Sequence, residues 1–384
     1  MTRLIKNTDH FREVLAEALA GKYKSQALLK EAITTDDIPY FMRQVVNAEL
    51  EEQYPQAEPV YRTFTTDFEL NDFRPGGLYE LLPDSSMLHR ENGGQTRSVG
   101  LPRIPELTPY PTFEYRESEK WFTTHKNGAR IHFSFEAFIN DEWDQIASLP
   151  AEMIQLAVDT EEALAHLQLV GPEGINSANF NAGNGNVLQA RSVATLGDVT
   201  GTETNVPANS PLTLDALFAA IAQVKEQRHN GRAVRVNRFV LLVPPALTQY
   251  ANVLVNAAVV RQTVGGREFE ISNPLPAQIR VVESEFLAEL NGDDATADST
   301  WFLLPEGGRT GNGRRTIIET FLRGRRTPEM RVSGNTGRYI GGGDVPYTEG
   351  SFDSDDAEVR IRHVVGSGFA NADGTIASSG SGEA

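Results

Sequence analysis

The feature that most constrains this chain is a long stretch, from Val60 to Tyr115, that lacks enough apolar residues to bury itself. It consists of short alternating segments such as Arg62–Thr65 and Phe68–Leu70, which are typical of β-strands. Glycines and prolines, Pro75-Gly76-Gly77 and Gly93-Gly94 among them, interrupt these segments. Because an isolated two-stranded ribbon is marginally stable in water, we expect residues 62–118 to lie on another surface, that of an adjacent subunit.

Apolar residues at helical spacing predict helices on both sides of this stretch. Two amphipathic patterns precede it, at 8–20 and 36–53, and the longest follows at 149–170. Ser148 and Pro150 are expected to open the longest helix. The residues expected to face inward from it are Met153, Ile154, Ala157 and Leu164.

The remaining patterns predict strands and a mixed α/β unit. Asn127-Gly128 is a strong signal for a tight hairpin between Lys120–Thr123 and Ile131–Phe135. A connection rich in Gly, Asn, Thr and Ser at 172–211 is expected to separate two bodies. The α/β unit that follows is predicted from helices at 213–229 and 245–259 and from strands at 238–243 and 278–282. The fold class is therefore expected to be α+β.

Length and charge exclude several classes of protein. The 384 residues exceed what one core usually supports, so we expect at least two packed bodies. The formal net charge of −17 opposes a whole-surface nucleic-acid binder. The absence of cysteine excludes a disulfide framework and a thiol nucleophile. With no signal peptide and no membrane-length apolar run, we expect a soluble protein that is made in the cytoplasm and has no membrane partner.

The search for catalytic motifs yields no candidate. Gly183-Asn184-Gly185 lacks the strand and helix of a dinucleotide site, and Gly308 and Gly313 are followed by Arg314-Arg315 where a phosphate loop needs Lys and Ser or Thr. The acidic run Asp353–Asp356 lacks the other oxygen ligands of a calcium loop. The seven histidines include no pair at helical i, i+4 spacing, and we interpret them as surface or strand residues. We therefore expect no catalytic residue, cofactor or metal ion, and a protein that is not an enzyme.

The order of these elements resembles the Hong Kong 97 capsid fold of tailed-bacteriophage major capsid (head) proteins. The run Ile131–Glu142 is similar to the lead-in to the long spine helix of that family. Leu214–Val243, continuing through Pro244-Pro245, is similar to a segment of the Mu-like major head subunits, and Arg360–Gly366 resembles their closing strand. The resemblance covers about two-thirds of the chain, from near 110 to 370.

The resemblance implies four parts of the chain. They are an N-terminal arm at 1–61, an extended β loop (E-loop) at 62–118, a peripheral domain with the spine helix at 119–200 and 331–384, and an axial α/β domain at 201–330. No segment before Phe41 has the size of a fused scaffold, and no lysine lies between 62 and 118 to crosslink the E-loop. A separate scaffolding protein, or assembly without one, is therefore implied, and a portal and a decoration protein are further expected partners.

The function implied is self-assembly as pentamers and hexamers into an icosahedral head. The shell is expected to enclose double-stranded DNA without recognising its sequence, to be assembled in the host cytoplasm and to become part of the virion. An encapsulin-like compartment with a protein cargo is the alternative, and a hydrolase with a Gly-rich tail is a third hypothesis of a different class.

The interval 309–338 is the candidate for contacts between subunits, because it carries eight arginines against two glutamates in an acidic chain. We expect ion pairs between subunits, with planar guanidinium groups bound to acidic residues of a neighbouring copy. A solvated basic face and phosphate binding inside the shell are the alternatives. The residues predicted to make these pairs are Arg314, Arg315, Arg323, Arg325, Arg326, Asp353, Asp355 and Asp356.

Overall fold

A computed structural model of the chain describes part of its length. The described residues are Tyr54, 58–83, 89–92, 95–98, 104, 106–107, 109–110, 115–134, 143–180, 205–206, 209–229, 232–264, 267–292, 295–333, 338, 340–341, 352 and 356–382. The helices predicted at 8–20 and 36–53 lie outside them, as does Gly183-Asn184-Gly185.

The described residues form five α-helices and nineteen strands. The helices are α1 Trp143–His166, α2 Leu214–Glu226, α3 Pro245–Asn256, α4 Leu275–Gln278 and α5 Glu285–Leu290. The first ten strands are β1 Thr65–Leu70, β2 Gly76–Pro83, β3 His89–Asn92, β4 Gln95–Ser98, β5 Tyr115–Phe122, β6 His125–Ser134, β7 Val170–Gly171, β8 Gly174–Ile175, β9 Arg228–His229 and β10 Arg232–Ala233. The others are β11 Phe239–Val243, β12 Val259–Val264, β13 Arg267–Ser272, β14 Ile279–Glu283, β15 Trp301–Pro305, β16 Ile317–Leu322, β17 Glu329–Val332, β18 Asp356–Phe369 and β19 Ile376–Ser378.

The chain divides into two compact units. Among the described residues, unit 1 contains Tyr54 and those within 127–157 and 327–363. Unit 2 contains those within 58–126, 158–326 and 364–384. Two segments of the 172–211 connection, around Phe180 and Val206, contribute to the core of unit 2. The expectation that this connection separates two bodies is therefore wrong for these segments.

Unit 2 contains the predicted α/β unit, built on a four-stranded sheet in the order β14-β11-β15-β19. Strand β11 is parallel to β14 and antiparallel to β15. All five residues of β11 and of β15 are buried, as expected for near-continuous apolar strands covered on both faces. Helix α2 begins at Thr213, whose side-chain oxygen accepts a hydrogen bond from the Ala216 amide. The predicted positions of α2, α3, β11 and β14 are confirmed to within a few residues.

A second sheet of unit 2 is formed by β1, β16 and the C-terminal part of β18. Strand β1 is parallel to β16, with Thr65 opposite Ile317 and Leu70 opposite Leu322. All six residues of β16 are buried. Residues 65–70 thus pair inside their own unit, and the expectation that 62–118 lies entirely on a neighbouring subunit is wrong for this strand. The strand lies at the edge of the sheet, and its burial pattern, with Thr65, Thr66 and Leu70 buried, does not follow the alternation that would indicate this pairing in the sequence.

The predicted β excursion is present as two ribbons. Strands β2 and β5 pair antiparallel from Gly76↔Phe122 to Pro83↔Tyr115, and β3 pairs with β4. Within the described residues neither ribbon joins a larger sheet. The position of the β2–β5 ribbon on a neighbouring subunit stays a prediction.

The hairpin predicted at Asn127-Gly128 is wrong. Both residues lie within β6, which pairs with β18 rather than with β5. A Cβ atom at Gly128 would lie 2.4 Å from the carbonyl oxygen of Ile361. Glycine is therefore required here by the close approach of a neighbouring strand, a role that a two-residue signal cannot distinguish from a turn.

Helix α1 is the predicted long helix with different ends. It begins at Trp143 rather than near Leu149 and ends at His166, so Pro150 lies inside it. Met153, Ile154 and Ala157 are buried in unit 1, as predicted. Leu164 is only partly buried, so its expected place in the core is corrected. From Val158 onward the helix belongs to unit 2, where several of its buried side chains are polar.

Unit 1 contains β17, most of β6 and the N-terminal part of β18. Strand β17 pairs antiparallel with β18, with Glu329 opposite Arg362. Tyr54 packs edge-on against His363, with 6.2 Å between ring centroids. His363 lies in a strand, as the interpretation of the histidines allows, but its side chain is buried and does not lie at the surface.

Candidate assembly surface and buried acidic cluster

Arg314 has an acidic partner in its own unit. Its Nη1 atom lies 3.0 Å from Asp373 Oδ2, and the exposed fractions of the two side chains are 12% and 7%. A buried ion pair of this kind leaves both charges compensated without a second subunit. Arg314 therefore stabilises the folded subunit, and the premise that it needs a partner from another copy is wrong.

Arg326 is also paired within unit 2. Its guanidinium group donates to Asp67 Oδ2 and lies 4.7 Å from the centroid of the Phe321 ring. Asp67 lies in β1, so this contact joins an exposed position of that strand to the turn after β16. Both side chains are about two-fifths exposed, which limits the contribution of the pair to roughly 1 kcal/mol.

The other predicted arginines differ in their surroundings. The Arg315 guanidinium lies 5.3 Å from the centroid of the Phe68 ring. Burial, and then the charge of Arg309, lowers the pKa of Arg315. Arg323 and Arg325 are exposed in the turn after β16. These two remain the candidates for contacts between subunits; we call them the arginine turn.

Most of the acidic residues in the predicted pairs lie outside the described residues. Asp353 and Asp355 are outside the described residues, and Asp356 is the first residue of β18 in unit 1. Glu358 lies 3.2 Å from His132 Nδ1 and 3.6 Å from Arg130 Nη1 in the same unit. Within the part of the chain that the structure describes, the acidic partners found for Arg314 and Arg326 are Asp373 and Asp67, neither of which belongs to this acidic run.

The root of the β2–β5 ribbon is fixed on the sheet of β1, β16 and β18. Phe122 packs with Ile318 and Ala370, and its ring centroid lies 6.4 Å from that of Phe68. A Cβ atom at Gly368 would lie 2.5 Å from the Phe122 ring, so glycine admits this ring to the sheet. The Lys120 ammonium donates to the Ala370 carbonyl oxygen. The ribbon of unit 2 therefore has a packed base on this sheet.

Beside this sheet lies a cluster of buried acidic side chains that we call the acidic cluster, formed by Glu161, Glu162 and Glu319. Glu162 accepts hydrogen bonds from the backbone amides of Val60 and Tyr61. Burial raises the pKa of Glu162 to about 7, although these two amides act against the shift. The Tyr61 hydroxyl donates to Glu161 Oε2 at 2.7 Å. Two successive glutamates of α1 thus hold the segment that precedes β1.

Glu319 is the most confined member of the cluster. It lies in the middle of β16 with an exposed fraction of 0%, and neither of its carboxyl oxygens has a hydrogen-bond partner among the described residues. Ser367 stands opposite it on β18, but the Ser367 hydroxyl donates weakly, at 3.4 Å, to the Ile318 carbonyl. Burial raises the pKa of Glu319 well above its ordinary value, although the Ser367 side chain acts against this shift.

His166 connects the same helix to the α/β unit. Its Nδ1 lies 2.7 Å from the Glu162 carbonyl oxygen, and its Nε2 lies 2.7 Å from Ser284 Oγ. Burial lowers the pKa of His166 to about 4, so the ring is neutral at pH 7 and its Nε2 accepts a hydrogen bond from the Ser284 hydroxyl. Its Nδ1 also lies 3.5 Å from Glu162 Oε2.

Ser284, His166 and Glu162 have the order of a hydrolytic triad, and their burial argues against that role. Ser284 is 3% exposed and His166 is 0% exposed. A substrate carbonyl has no access to the hydroxyl, and the Glu162 carboxylate is occupied by two backbone amides. We interpret the three residues as a buried structural network.

Sequence patterns missed both the acidic cluster and the buried His166. On α1 these residues follow the same inward face as Ala157 and Ala165, so helical phase could have indicated their burial. The described residues contain no group of three or more His, Asp or Glu side chains placed to hold a metal ion. No helix among them is long and apolar enough to cross a membrane.

Comparison with known proteins gives a family match. A family model described as "phage capsid protein" matches residues 117–378. No curated protein is significantly similar in sequence.

Several solved structures are similar over most of their length. A chain from Mycobacterium phage Patience is 11% identical with a TM-score of 0.45, covering 92% of this chain and 90% of that one. The capsid of cyanophage P-SCSP1u gives 14% identity and a TM-score of 0.44, with 83% and 86% covered. An encapsulin complex from Synechococcus elongatus gives 10% identity and a TM-score of 0.40, with 82% and 84% covered. The family model, which spans more than half of the chain, carries the assignment.

Proposed function

The chain belongs to the phage capsid protein family, and on that premise we propose that its copies form pentamers and hexamers around double-stranded DNA. It is a major capsid protein of an icosahedral shell, with the α+β, Hong Kong 97-type fold predicted from the sequence. The single observation that carries this function is the family match over residues 117–378, which includes parts of both units.

The β2–β5 ribbon supports contacts between neighbouring subunits. Its root is packed on unit 2 through Phe122, whereas the adjacent Trp121 is 54% exposed. The ribbon pairs with no further strand among the described residues, and a two-stranded ribbon is marginal in water. We therefore assign residues 76–118 to an E-loop that lies on a neighbouring copy, and we retain 119–200 with 331–384 as the peripheral domain and 201–330 as the axial domain.

The arginine turn is the second proposed contact. Arg323 and Arg325 are exposed beside the end of β16, and the chain as a whole carries a net charge of −17. An acidic surface on a neighbouring copy is therefore the most abundant partner for this basic turn. Asp353 and Asp355 stay the proposed acidic residues of that surface.

The enclosed material is proposed to be double-stranded DNA held without sequence recognition. An acidic subunit repels phosphate, which avoids tight binding of the genome to the wall of the shell. A separate scaffolding protein, a portal, a decoration protein and assembly in the host cytoplasm belong to the same proposal. The protein acts through assembly, and catalysis has no part in its function.

The content of purified particles tests this proposal. Particles isolated from the cells that produce them are treated with nuclease and then opened, and their nucleic acid and protein are identified. We expect nuclease-resistant double-stranded DNA of uniform length. Particles that contain one copurifying enzyme and no DNA would contradict the proposal and indicate an encapsulin-like compartment.

A further inference from the structure

The segment before β1 is a cover over the acidic cluster. Val60–Thr63 is a single 3-10 turn without a side-chain cap. Tyr61 and Phe64 are fully buried, and the Phe64 ring stands edge-on to His166 with 5.3 Å between centroids. The described polar bonds between this turn and α1 end on Glu161 or Glu162. The attachment of the cover therefore depends on the charge state of these carboxyl groups.

The charges around Glu319 are mostly negative. Asp67 lies opposite it on β1, and its charge is already compensated by Arg326. Arg62, on the cover, contacts the Tyr61 hydroxyl at 3.5 Å and opposes the negative charge there. The titratable groups that face the cluster from the cover, β1, α1 and β16 are Tyr61, Arg62, Asp67, Asp159, Glu161, Glu162, His166 and Glu319.

We propose that the acidic cluster is a proton-dependent latch, which holds Val60 and Tyr61 against α1 while Glu319 is protonated. With Glu319 neutral, Glu162 accepts the two backbone amides and Glu161 accepts the Tyr61 hydroxyl without a third buried charge. Ionisation of Glu319 places an uncompensated carboxylate in the interior, where its oxygens have no described donor. Because Glu319 is fully buried, hydration of that carboxylate requires part of its surroundings to move, and we assign this movement to the cover, which is bound to the neighbouring Glu161 and Glu162.

The consequence concerns the segment that leads through β1 to the ribbon. Release of Val60–Phe64 frees the chain immediately before β1, which lies at the edge of its sheet and pairs with β16. The latch thus links the protonation of one glutamate to the attachment of the chain that precedes the E-loop. Protonation favours the attached state, so the attached state is lost as pH rises through the pKa of Glu319.

Hydrogen–deuterium exchange of the full-length protein between pH 6 and 9 tests the latch. Labelling times are scaled so that the chemical exchange rate is the same at each pH. We expect peptides covering 58–70 to lose protection by about tenfold or more as pH rises, which corresponds to one pKa unit of coupling. Peptides covering β11 in the same unit should stay protected over the same range.

Substitutions then assign the effect to Glu319. Glu319→Gln replaces the protonated group by a neutral one of the same shape, and we expect the loss of protection of 58–70 with rising pH to be much smaller than in the wild type, with only the titration of Glu162 remaining. Glu289→Gln, at an exposed position of unit 2, is the matched control and should behave like the wild type. If Glu319→Gln does not fold, Glu161→Gln replaces it; because the Glu161 charge helps to raise the pKa of Glu319, we expect a smaller loss of protection that is complete at a lower pH.

Three results would overturn the latch. The first is constant protection of 58–70 in the wild type, and the second is an equal loss of protection in β11, which would indicate unfolding of the whole unit. The third is a pH profile of Glu319→Gln, or of Glu161→Gln in its place, that matches the wild type.

Discussion

The hydroxyl of Tyr61 donates a 2.7 Å hydrogen bond to Glu161, and both side chains are fully buried. Burial and the Glu161 charge raise the pKa of Tyr61, so the hydroxyl keeps its proton and remains the donor. The bond joins the turn before β1 to α1, two elements that are far apart in the sequence.

Tyr61→Phe should lower the free energy of unfolding by about 1–3 kcal/mol, because it leaves the Glu161 carboxyl group buried without this donor. Urea unfolding of the isolated subunit measures the change. Tyr250→Phe, at a side chain that is 47% exposed, is the control and should change stability by less than about 0.5 kcal/mol. Equal effects at the two positions would contradict the role of the Tyr61 hydroxyl.

Glu162 and His166 should give opposite contributions to the pH dependence of stability. The pKa of Glu162 is raised from 4.5 to about 7, so its contribution is full below pH 4.5 and is lost as pH rises through 7. The pKa of His166 is lowered from 6.5 to about 4, so its contribution is full above pH 6.5 and is lost as pH falls through 4. Between pH 4.5 and 6.5 the two slopes oppose each other.

His166→Gln should therefore become more stable, relative to the wild type, as pH falls from 6.5 to 4.5. The shift of about two and a half pKa units corresponds to a difference on the order of 3 kcal/mol over the full titration. Urea unfolding at a series of pH values measures it. Parallel pH profiles for the two proteins would show that His166 is not the group that opposes Glu162.

The arginines of 309–338 should separate into two classes. Arg314→Ala leaves Asp373 buried without its partner and should destabilise the subunit by about 3–5 kcal/mol. The double substitution Arg323→Glu with Arg325→Glu, in the exposed arginine turn, should leave unfolding unchanged and prevent assembly. Unfolding curves and sedimentation velocity distinguish the two effects. Arg280→Glu, at an exposed position of β14, is the control that should assemble normally.

Deletion of residues 84–97 should remove most of the distal β3–β4 ribbon and leave the subunit folded. The β2–β5 ladder and its packed root at Phe122 lie outside the deletion. We expect native unfolding behaviour with a failure to form shells, as measured by circular dichroism and electron microscopy. Normal shells from this variant would show that the tip makes no contact needed for assembly.

Strands and helices with strong apolar periodicity could be predicted from the sequence. The runs at β11 and β14 and the helices α2 and α3 were found near their observed positions, since local pattern and burial agree there. Gly128 was misinterpreted because close approach of a neighbouring strand and a turn both favour glycine. The predicted ends of helix α1 differ from the observed ones, because a proline such as Pro150 is typical of the first turn of a helix.

The candidate sites were less predictable. The local excess of arginine does not indicate that Arg314 pairs with Asp373 and Arg326 with Asp67, because each acidic partner is distant in sequence. Glutamate is usually exposed, so the sequence alone does not indicate that a carboxyl group such as that of Glu319 is buried. Their burial follows from the sheet around them, which only the fold specifies.

The most direct test of the account is electron microscopy of the purified full-length chain, co-expressed with its neighbouring genes. We predict closed icosahedral shells in which pentamers and hexamers are resolved and each β2–β5 ribbon lies across an adjacent subunit. A chain that remains monomeric under these conditions, or a shell in which each ribbon folds back on its own subunit, would contradict it.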